Sequence, residues 1–282
     1  MIIKAAQISQ MFMVFLFAMA LIFLDTVNAK EIPVKETNDV DTLRVFTYNI
    51  QRGLGMDGIT DIKRQADVIK EKNPHIVALQ EVDVGVKRSG NIDIMTVFSG
   101  YLGMEPIFHK NIAHEGGKYG NGTLTNLPII SSRNMHYAST EGEQRGLQQI
   151  ELDFNGTRIV VMNTHLDHRF EEERLNSVEQ IIETTRAYRG AAVILTGDMN
   201  DTPGSEVHKR LKHFFTDVWE EKGDGPGYTI PPNGPNRRID YFFYTNNLVK
   251  EGNPVIRPIK MEVLDTDASD HLPIYAEFEV IH

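Results

Sequence analysis

Hydrophobic positions along the chain switch between two periods, one typical of β-strands and one typical of α-helices. Short runs of branched and aromatic residues predict strands at Leu43–Tyr48, Ile76–Leu79, Ala192–Leu195, Ile239–Tyr244 and Ile274–Val280. Two further runs, Leu147–Phe154 and Thr157–Met162, flank Asn155-Gly156. That dipeptide favours the tight turn of a β-hairpin, so these two runs are predicted to pair.

Three stretches between the strands show helical spacing. Asp61 can cap a helix that ends before Pro74, with apolar positions at Ile62, Ala66 and Ile69. A second amphipathic face comprises Leu175, Val178, Ile182 and Thr185. Pro203 predicts the start of a third helix, capped by Asp201 or Thr202. Because strands and helices follow one another without a linker, residues 43–282 are predicted to form one domain, preceded by a polar lead over residues 30–42.

The first thirty residues have a different pattern. Lys4 is followed by an unbroken apolar run, Met11–Leu24, and by the small-residue ending Val27-Asn28-Ala29. This pattern is typical of a secretory signal peptide over residues 1–29 and is short for a membrane span. An uncleaved N-terminal anchor is the alternative.

Composition narrows the classes of function. The chain has 282 residues, no cysteine and a net charge of −10. Disulfides are therefore excluded, and non-specific binding to the nucleic-acid backbone is disfavoured. N-glycosylation motifs occur at Asn121, Asn155 and Asn200. Because two of these asparagines are candidate site residues, we expect a bacterial protein that is secreted or held in the periplasm or cell envelope.

Polar residues follow the predicted strands at the point where each strand ends. Asn49, Glu81, His165 and Asp198 each come within three residues of the end of such a strand, with Asn200 close behind. Each residue alone could be a turn residue, a helix cap or a buried core histidine. Their repetition favours one shared rim, where α/β sheets place their ligand sites.

The residue types at this rim indicate a particular chemistry. The sequence has no cysteine nucleophile, no G-x-S-x-G motif and no phosphate-binding P-loop. A few carboxylates with amides suit Mg²⁺, for which Mn²⁺ is a possible substitute, and histidines beside acids suit proton transfer. Metal-assisted hydrolysis of a phosphate ester fits the candidate set, which is Asn49, Glu81, His165, Asp198, Asn200, Asp240, Asp270 and His271.

Seven motifs in order, T-Y-N-I, A-L-Q-E, Y-G-N, N-T-H-L, G-D-M-N, R-I-D-Y and S-D-H-L-P, make the chain resemble the endonuclease/exonuclease/phosphatase (DNase I-like) superfamily. The likeness is to bacterial secreted members of unassigned substrate and extends from about Leu43 to Glu279. It implies a fold that contains both helices and strands (α/β, more closely α+β). The expected architecture is a four-layer sandwich of two mixed β-sheets flanked by helices.

The resemblance also implies a role for each matching residue. Mg²⁺ would be held by Asn49 and Glu81, with Asp270 near the ion. Asp198 would activate the attacking water and Asn200 would touch a phosphoryl oxygen. His165 would donate a hydrogen bond to the phosphate, and Asp240 would support His271, which binds phosphate or moves the proton. The substrate pocket would be lined by Tyr119 and Asn121. Apart from the resemblance, Arg169 is a candidate substrate contact because it closely follows His165 in the sequence.

The expected activity is a Mg²⁺-dependent phosphodiesterase acting on a small or lipid-linked substrate by in-line attack of water. An extracellular nuclease, a phosphomonoesterase and, less favoured, a non-catalytic binding module are the alternatives. Arg145, His168 and Lys87-Arg88 are candidate contacts for an anion, although a solvated surface charge is the favoured interpretation of each. The head group and the oligomeric state stay open, and no transmembrane segment is expected after removal of the signal peptide.

Overall fold

The computed structural model describes residues 41–250 and 255–281. The predicted signal peptide and nearly all of the polar lead lie outside the described residues, so these boundaries stay predictions. The described strands are β1 Asp41–Asn49, β2 Ile76–Val84, β3 Glu105–His114, β4 Gly117–Thr125, β5 Ile129–His136, β6 Gly146–Phe154, β7 Thr157–His165, β8 Ala192–Asp198, β9 Thr216–Asp217, β10 Asp240–Thr245, β11 Val255–Val263 and β12 Ile274–Ile281.

These strands form two mixed sheets of six strands each. The first sheet has the order β11-β12-β1-β2-β4-β3, and the second has the order β5-β6-β7-β8-β10-β9. β1 pairs with β2 and β7 pairs with β8 in parallel, whereas the other described pairs are antiparallel. The prediction of two mixed sheets is therefore confirmed.

Helices cover the outer face of each sheet. The α-helices are α1 Ile62–Lys70, α2 Ile94–Leu102, α3 Glu171–Thr185, α4 Glu206–Lys212 and α5 Val218–Lys222, and short 3₁₀ helices span Gln51–Gly53 and Lys87–Ser89. The predicted cap is confirmed, since the Asp61 carboxylate accepts a hydrogen bond from the Arg64 backbone N–H at the start of α1. The amphipathic face predicted from Leu175 to Thr185 belongs to α3.

Three clusters of buried side chains separate the layers. One lies between the sheets and contains residues of both, such as Val45 and Ile194. A second joins α3 and α4 to the second sheet, and a third joins α1 and α2 to the first sheet. Because each sheet packs against the other on one face and against helices on its second face, the predicted four-layer sandwich is confirmed.

Two predicted elements differ from the structure. No helix begins at Pro203 within the described residues; α4 begins at Glu206, where the Ser205 hydroxyl accepts a hydrogen bond from the His208 N–H. The predicted cap at Asp201 or Thr202 is therefore wrong, because Ser205 is better placed one residue before the helix. The strand that begins at Ile76 continues past Leu79 to Val84.

The asparagine–glycine hairpin is confirmed. Phe154 pairs with Thr157, and both Asn155 and Gly156 have positive φ angles, of 53° and 85°. A two-residue turn with two left-handed residues matches the twist of the paired strands.

None of the helices in the described part of the chain combines the length and the hydrophobicity that a membrane span requires.

Candidate active site

The parallel strands of the two sheets bring four predicted site residues to one edge of the sandwich. Asn49 is the last residue of β1, in register with Gln80 of β2. His165 and Asp198 end β7 and β8 and are in register with each other. On the antiparallel neighbour β10, Asp240 lies opposite Asp198. The rim predicted from strand ends is therefore present in both sheets.

Local backbone irregularities aim further side chains at this rim. Glu81 lies inside β2, where the pairing with β4 shifts register between Leu79 and Val82, and its φ is +59°. Asn200 has a φ of +51°. Non-glycine residues with left-handed backbones are costly and are concentrated at functional sites, as are β-bulges. The bulge explains why Glu81 faces the site although it is not at a strand end.

Asp198 is the centre of the polar contacts. Its Oδ1 accepts a hydrogen bond from the Asn200 backbone N–H at 2.8 Å, and its Oδ2 accepts one from Asn49 Nδ2 at 3.1 Å. The Nε2 atoms of two histidines lie near the same Oδ2, His165 at 3.4 Å and His271 at 3.7 Å. Asp198 is 1% exposed, so this carboxylate is fixed in one orientation.

The second carboxylate, Asp240, holds His271. His271 Nδ1 and Asp240 Oδ2 are 2.9 Å apart. Burial on its own would lower the pKa of His271, but the Asp240 charge and this hydrogen bond, with Asp198 and Asp270, raise the pKa to about 10. An imidazole with so high a pKa is protonated at neutral pH, so His271 is a cationic donor in the site.

The pKa of Asp198 is also raised, which for an acid favours the neutral form. Burial and the nearby Asp240 charge raise the pKa of Asp198, although the His271 cation and the Asn49 and Asn200 hydrogen bonds oppose the shift. A raised pKa brings a carboxylate closer to the proton affinity that a general base needs at neutral pH.

The predicted metal ligands lie beside this acid–base cluster. Asn49 Nδ2 also reaches Glu81 Oε1 at 3.4 Å, and Gln51 Nε2 donates to Asp270 Oδ2 at 2.9 Å. Burial, followed by repulsion from the Asp270 carboxylate, raises the pKa of Glu81. Two carboxylates that repel each other in a partly buried place suit a bound divalent cation, and oxygen ligands of this kind suit Mg²⁺. The residues present therefore fit a divalent metal.

Asp198, Asp240 and His271 also offer atoms that all lie within 4.8 Å of one another. His271 Nδ1 and Asp240 Oδ2 already share a hydrogen bond, which occupies atoms that would otherwise face an ion. We therefore interpret this group as the acid–base half of the site.

Replacing Glu81 with glutamine is expected to weaken Mg²⁺ binding at least about 10-fold, since even the residues that support metal ligands contribute 10- to 100-fold to affinity. The glutamine keeps the size of the side chain and removes its charge. Isothermal titration of Mg²⁺ or Mn²⁺ into the purified variant measures the effect. Glu105→Gln, at an exposed position of β3, is the matched control, and equal affinities for the two variants would contradict the assignment.

A cavity of about 260 Å³ opens at the centre of these residues. Its lining includes six predicted site residues, which are Glu81, Tyr119, His165, Asp198, Asn200 and His271. Asn121 is 1% exposed, and its amide donates to the backbone carbonyls of Gly146 and Asn163. Arg169 lies in a separate depression with Phe170 and Glu172. The structure thus does not bring Arg169 to the cavity, and the buried Asn121 supports the walls.

The cavity also contains basic residues that the sequence placed on the solvated surface. Arg145 is 5% exposed, and Arg88 and His168 line the same cavity. Arg88 is bound by both oxygens of the buried Asp83, at 2.9 and 3.0 Å, and packs over the Tyr119 ring. Arg88 and His168 are exposed to solvent, as expected, whereas the expectation is wrong for the buried Arg145. No local pattern marks Arg145, because its position depends on contacts between distant strands.

A separate buried cluster lies near the start of α5. The Asp217 carboxylate contacts His208 Nε2 at 2.9 Å and Arg238 Nη1 at 2.9 Å and caps the Trp219 N–H. These partners account for both oxygens, so the cluster is best explained as an internal ion pair that stabilises the fold.

Asp217→Ala is expected to destabilise the protein by about 3–5 kcal/mol, because it leaves the Arg238 charge buried and unpaired. Burial would raise the pKa of Asp217, but the His208 and Arg238 hydrogen bonds outweigh it and lower the pKa. Because the pKa is lowered on folding, the ionised carboxylate stabilises the fold at pH values above the unfolded-state pKa of about 3.9. This contribution is lost as the pH falls through the folded-state pKa. Urea unfolding should show the full difference at pH 7 and a smaller one below pH about 4; a difference independent of pH would contradict the charged pair.

Comparison with known proteins places this geometry in a family. A model of the endonuclease/exonuclease/phosphatase family matches residues 46–271. A 5′-tyrosyl-DNA phosphodiesterase from Caenorhabditis elegans is 26% identical over 189 residues, which are 64% of this chain and 48% of that protein. The chain therefore spans about half the length of the curated relative it matches.

Solved structures share the fold at lower identity. An endonuclease/exonuclease/phosphatase family protein from Bacteroides thetaiotaomicron has a TM-score of 0.70 and 17% identity over 86% of this chain and 99% of that one. A mannosyl-6-phosphatase from the same organism has a TM-score of 0.69 and 17% identity over 85% of this chain and 100% of that one. At this identity the likeness establishes the fold.

Proposed function

The chain belongs to the endonuclease/exonuclease/phosphatase family, and from this premise we propose that it is a Mg²⁺-dependent hydrolase of phosphate esters. A phosphodiesterase acting on a small or lipid-linked substrate is the activity that the site supports best. The observation that carries the proposal is the position of the Asn49 side-chain amide. Its Nδ2 lies 3.4 Å from Oε1 of Glu81, a predicted metal ligand, and 3.1 Å from Oδ2 of Asp198, the predicted base.

The chain's own residues supply an acid–base pathway. Asp198 is held by the Asn200 N–H and the Asn49 amide, so its carboxylate can orient a water molecule and accept the proton that the water loses on attack. His271, kept cationic by Asp240, would donate hydrogen bonds to the phosphoryl group, whose negative charge builds up in the reaction. His165 Nε2 lies 3.4 Å from Asp198 Oδ2 and would act as a second donor.

Glu81 and Asp270, with Asn49, would hold the divalent ion beside this pathway. A bound Mg²⁺ would polarise a phosphoryl oxygen and stabilise developing negative charge. Mn²⁺, which accepts the same oxygen ligands, is expected to substitute for it.

Two observations favour a diester as substrate. The cavity is lined by three acidic residues, Glu81, Glu143 and Asp198, and a singly charged phosphodiester is repelled less by them than a terminal dianion is. The 5′-tyrosyl-DNA phosphodiesterase relative also cleaves a diester by its name, although the match covers about half of that protein. A nuclease remains the less favoured diesterase, since a net charge of −10 gives little attraction for a polyphosphate backbone.

A phosphomonoesterase is the second candidate, and Arg88 and Arg145 are the specific reason for it. Both guanidinium groups line the cavity, where they could balance the extra charge of a terminal phosphate. The mannosyl-6-phosphatase with the same fold acts on such a group by its name.

Initial rates on two matched esters separate these candidates. Purified protein with Mg²⁺ would be given bis-p-nitrophenyl phosphate or p-nitrophenyl phosphate, with duplex DNA and sphingomyelin in parallel. Faster turnover of the diester supports the phosphodiesterase, and faster turnover of the monoester supports the second candidate. Turnover of none of the four, in a protein shown to bind Mg²⁺, would contradict the proposed hydrolase and favour a binding module.

We also propose that the protein acts outside the cytoplasm after loss of residues 1–29. The buried amide of Asn121 supports a bacterial envelope, because a glycan attached at this motif before folding would not fit in the folded protein. Mass spectrometry of the exported protein tests the cleavage: a first residue at Lys30 supports the proposal, and an intact Met1 contradicts it.

A further inference from the structure

The two histidines of the cavity have partners of opposite character. His271 Nδ1 lies 2.9 Å from a carboxylate oxygen of Asp240, whereas His165 Nδ1 lies 3.0 Å from the guanidinium Nη1 of Arg145. A carboxylate accepts hydrogen bonds and a guanidinium only donates them. The Nδ1 atom of His271 must therefore carry hydrogen, and the Nδ1 atom of His165 must be bare.

A bare Nδ1 determines the rest of the His165 ring. A neutral imidazole has one hydrogen, so here it belongs to Nε2. That nitrogen lies 3.4 Å from Asp198 Oδ2 and faces the cavity. Arg145 thus selects the tautomer whose only N–H group points to the place where the attacking water and the phosphoryl oxygen would meet.

We propose that Arg145 is a positioning residue that fixes His165 as the neutral Nε2–H tautomer and so gives the cavity an uncharged hydrogen-bond donor beside Asp198. The benefit to catalysis rests on the proposed function, whereas the tautomer itself follows from the geometry alone. Arg145 immediately precedes β6, where neither residue spacing nor strand periodicity marks it.

The surroundings of both residues agree with this assignment. Arg145 is 5% exposed and is held by Glu143 at 3.4 Å as well as by the ring nitrogen of His168 at 3.5 Å. The groups that face His165 are Arg145, His168, His271 and Asp198. Burial, then the positive charge of Arg145, lowers the pKa of His165 well below its ordinary value.

Neutrality of His165 has a chemical consequence. A second imidazolium beside Asp198 would stabilise the carboxylate anion further and make it a weaker base. A neutral donor can hold a phosphoryl oxygen without this effect. The two imidazoles of the site therefore differ in the group that holds Nδ1, a carboxylate for His271 and a guanidinium for His165.

Nitrogen NMR of the full chain tests the tautomer directly. Protein labelled with ¹⁵N in its histidine rings, with Mg²⁺ at pH 7, would be compared with His165→Gln to assign the His165 signals. We expect a bare Nδ1 and a protonated Nε2. A protonated Nδ1, or the rapidly exchanging mixture typical of free imidazole, would overturn the inference whether or not the protein turns over a phosphate ester.

Two substitutions then test the role of Arg145. Arg145→Lys keeps a donor-only group and should keep the Nε2–H tautomer and most of kcat, whereas Arg145→Met should lose the single tautomer and lower kcat about 10-fold or more. Arg174→Met, which removes an arginine paired with Asp201, controls for the loss of a partly buried charge. A methionine variant that keeps the Nε2–H tautomer would overturn the inference, and if that variant does not fold, the wild-type spectrum decides.

The two proposals fail separately. A wild-type spectrum with the expected tautomer but no turnover of any ester would refute the hydrolase and leave the positioning contact standing. Turnover with a protonated Nδ1 would refute the positioning contact and leave the hydrolase standing.

Discussion

Asp198→Asn is expected to lower kcat for the preferred phosphate ester by about 10²- to 10⁴-fold, the range that general acid–base groups contribute. The asparagine has the same size and keeps one oxygen for the Asn200 N–H, which now lies 2.8 Å from Asp198 Oδ1. It cannot accept a proton from water. The loss should therefore appear in kcat, with a smaller change in KM.

The same variant should stay folded. Burial and the Asp240 charge raise the pKa of Asp198, and an acid whose pKa rises on folding is destabilising in its ionised form. Removing that charge relieves the repulsion between the two carboxylates. Asp61→Asn at the cap of α1 is the matched control, because asparagine caps a helix as well as aspartate does. Unchanged kcat in a folded Asp198→Asn variant would contradict the role of general base.

His271→Gln is expected to lower kcat by about 10²- to 10³-fold, as removal of a donor that stabilises transition-state charge does elsewhere. Glutamine can still donate a hydrogen bond but carries no positive charge. It also loses the 2.9 Å contact by which Asp240 holds the ring. The effect should be largest on the chemical step, which single-turnover measurements separate from substrate binding.

Two controls accompany this substitution. His213→Gln changes an exposed histidine at the end of α4 and should leave kcat unaltered. Asp240→Asn should reduce kcat in the same direction as His271→Gln, since it removes the charge that keeps the imidazole protonated. An Asp240→Asn variant with full activity would show that the pair is structural.

Much of the fold was predictable because many strands and helices have a clear pattern of hydrophobic residues. Strands such as β1 and β8 are rich in branched, aromatic and other apolar residues, and α1 and α3 show clear helical spacing. By contrast, β4 has the sequence G-K-Y-G-N-G-T-L-T and was not predicted. Its glycines have weak strand propensity, yet a side chain at Gly122 would collide with the Met95 sulfur. Tertiary packing, which sequence periodicity does not report, makes that segment a strand.

The candidate site divides in a similar way. Asn49, His165 and Asp198 end their strands, so the order of the chain is enough to place them at one rim. Glu81 reaches the rim only through the bulge in β2, and the apolar run I-V-A-L gives no sign of that bulge. Its assignment as a site residue came from the family resemblance as well as from position.

Arg145 and Arg169 show the limit of reading basic residues from sequence. Arg169 follows His165 by four residues, but the chain turns away after His165 and places Arg169 in another depression. Arg145 is twenty residues from His165 in sequence and 3.0 Å from its ring in space. Proximity between neighbouring antiparallel strands, rather than distance along the chain, decides which of the two arginines meets the cavity.

The most direct test of a metal-dependent phosphate-ester hydrolase is whether turnover is lost when the metal is removed and recovered when the metal is restored. Initial rates would be measured on bis-p-nitrophenyl phosphate with Mg²⁺, after addition of excess EDTA, and after Mg²⁺ is restored. We expect cleavage that EDTA abolishes and that Mg²⁺ restores. Cleavage that continues at the same rate in EDTA would contradict the account.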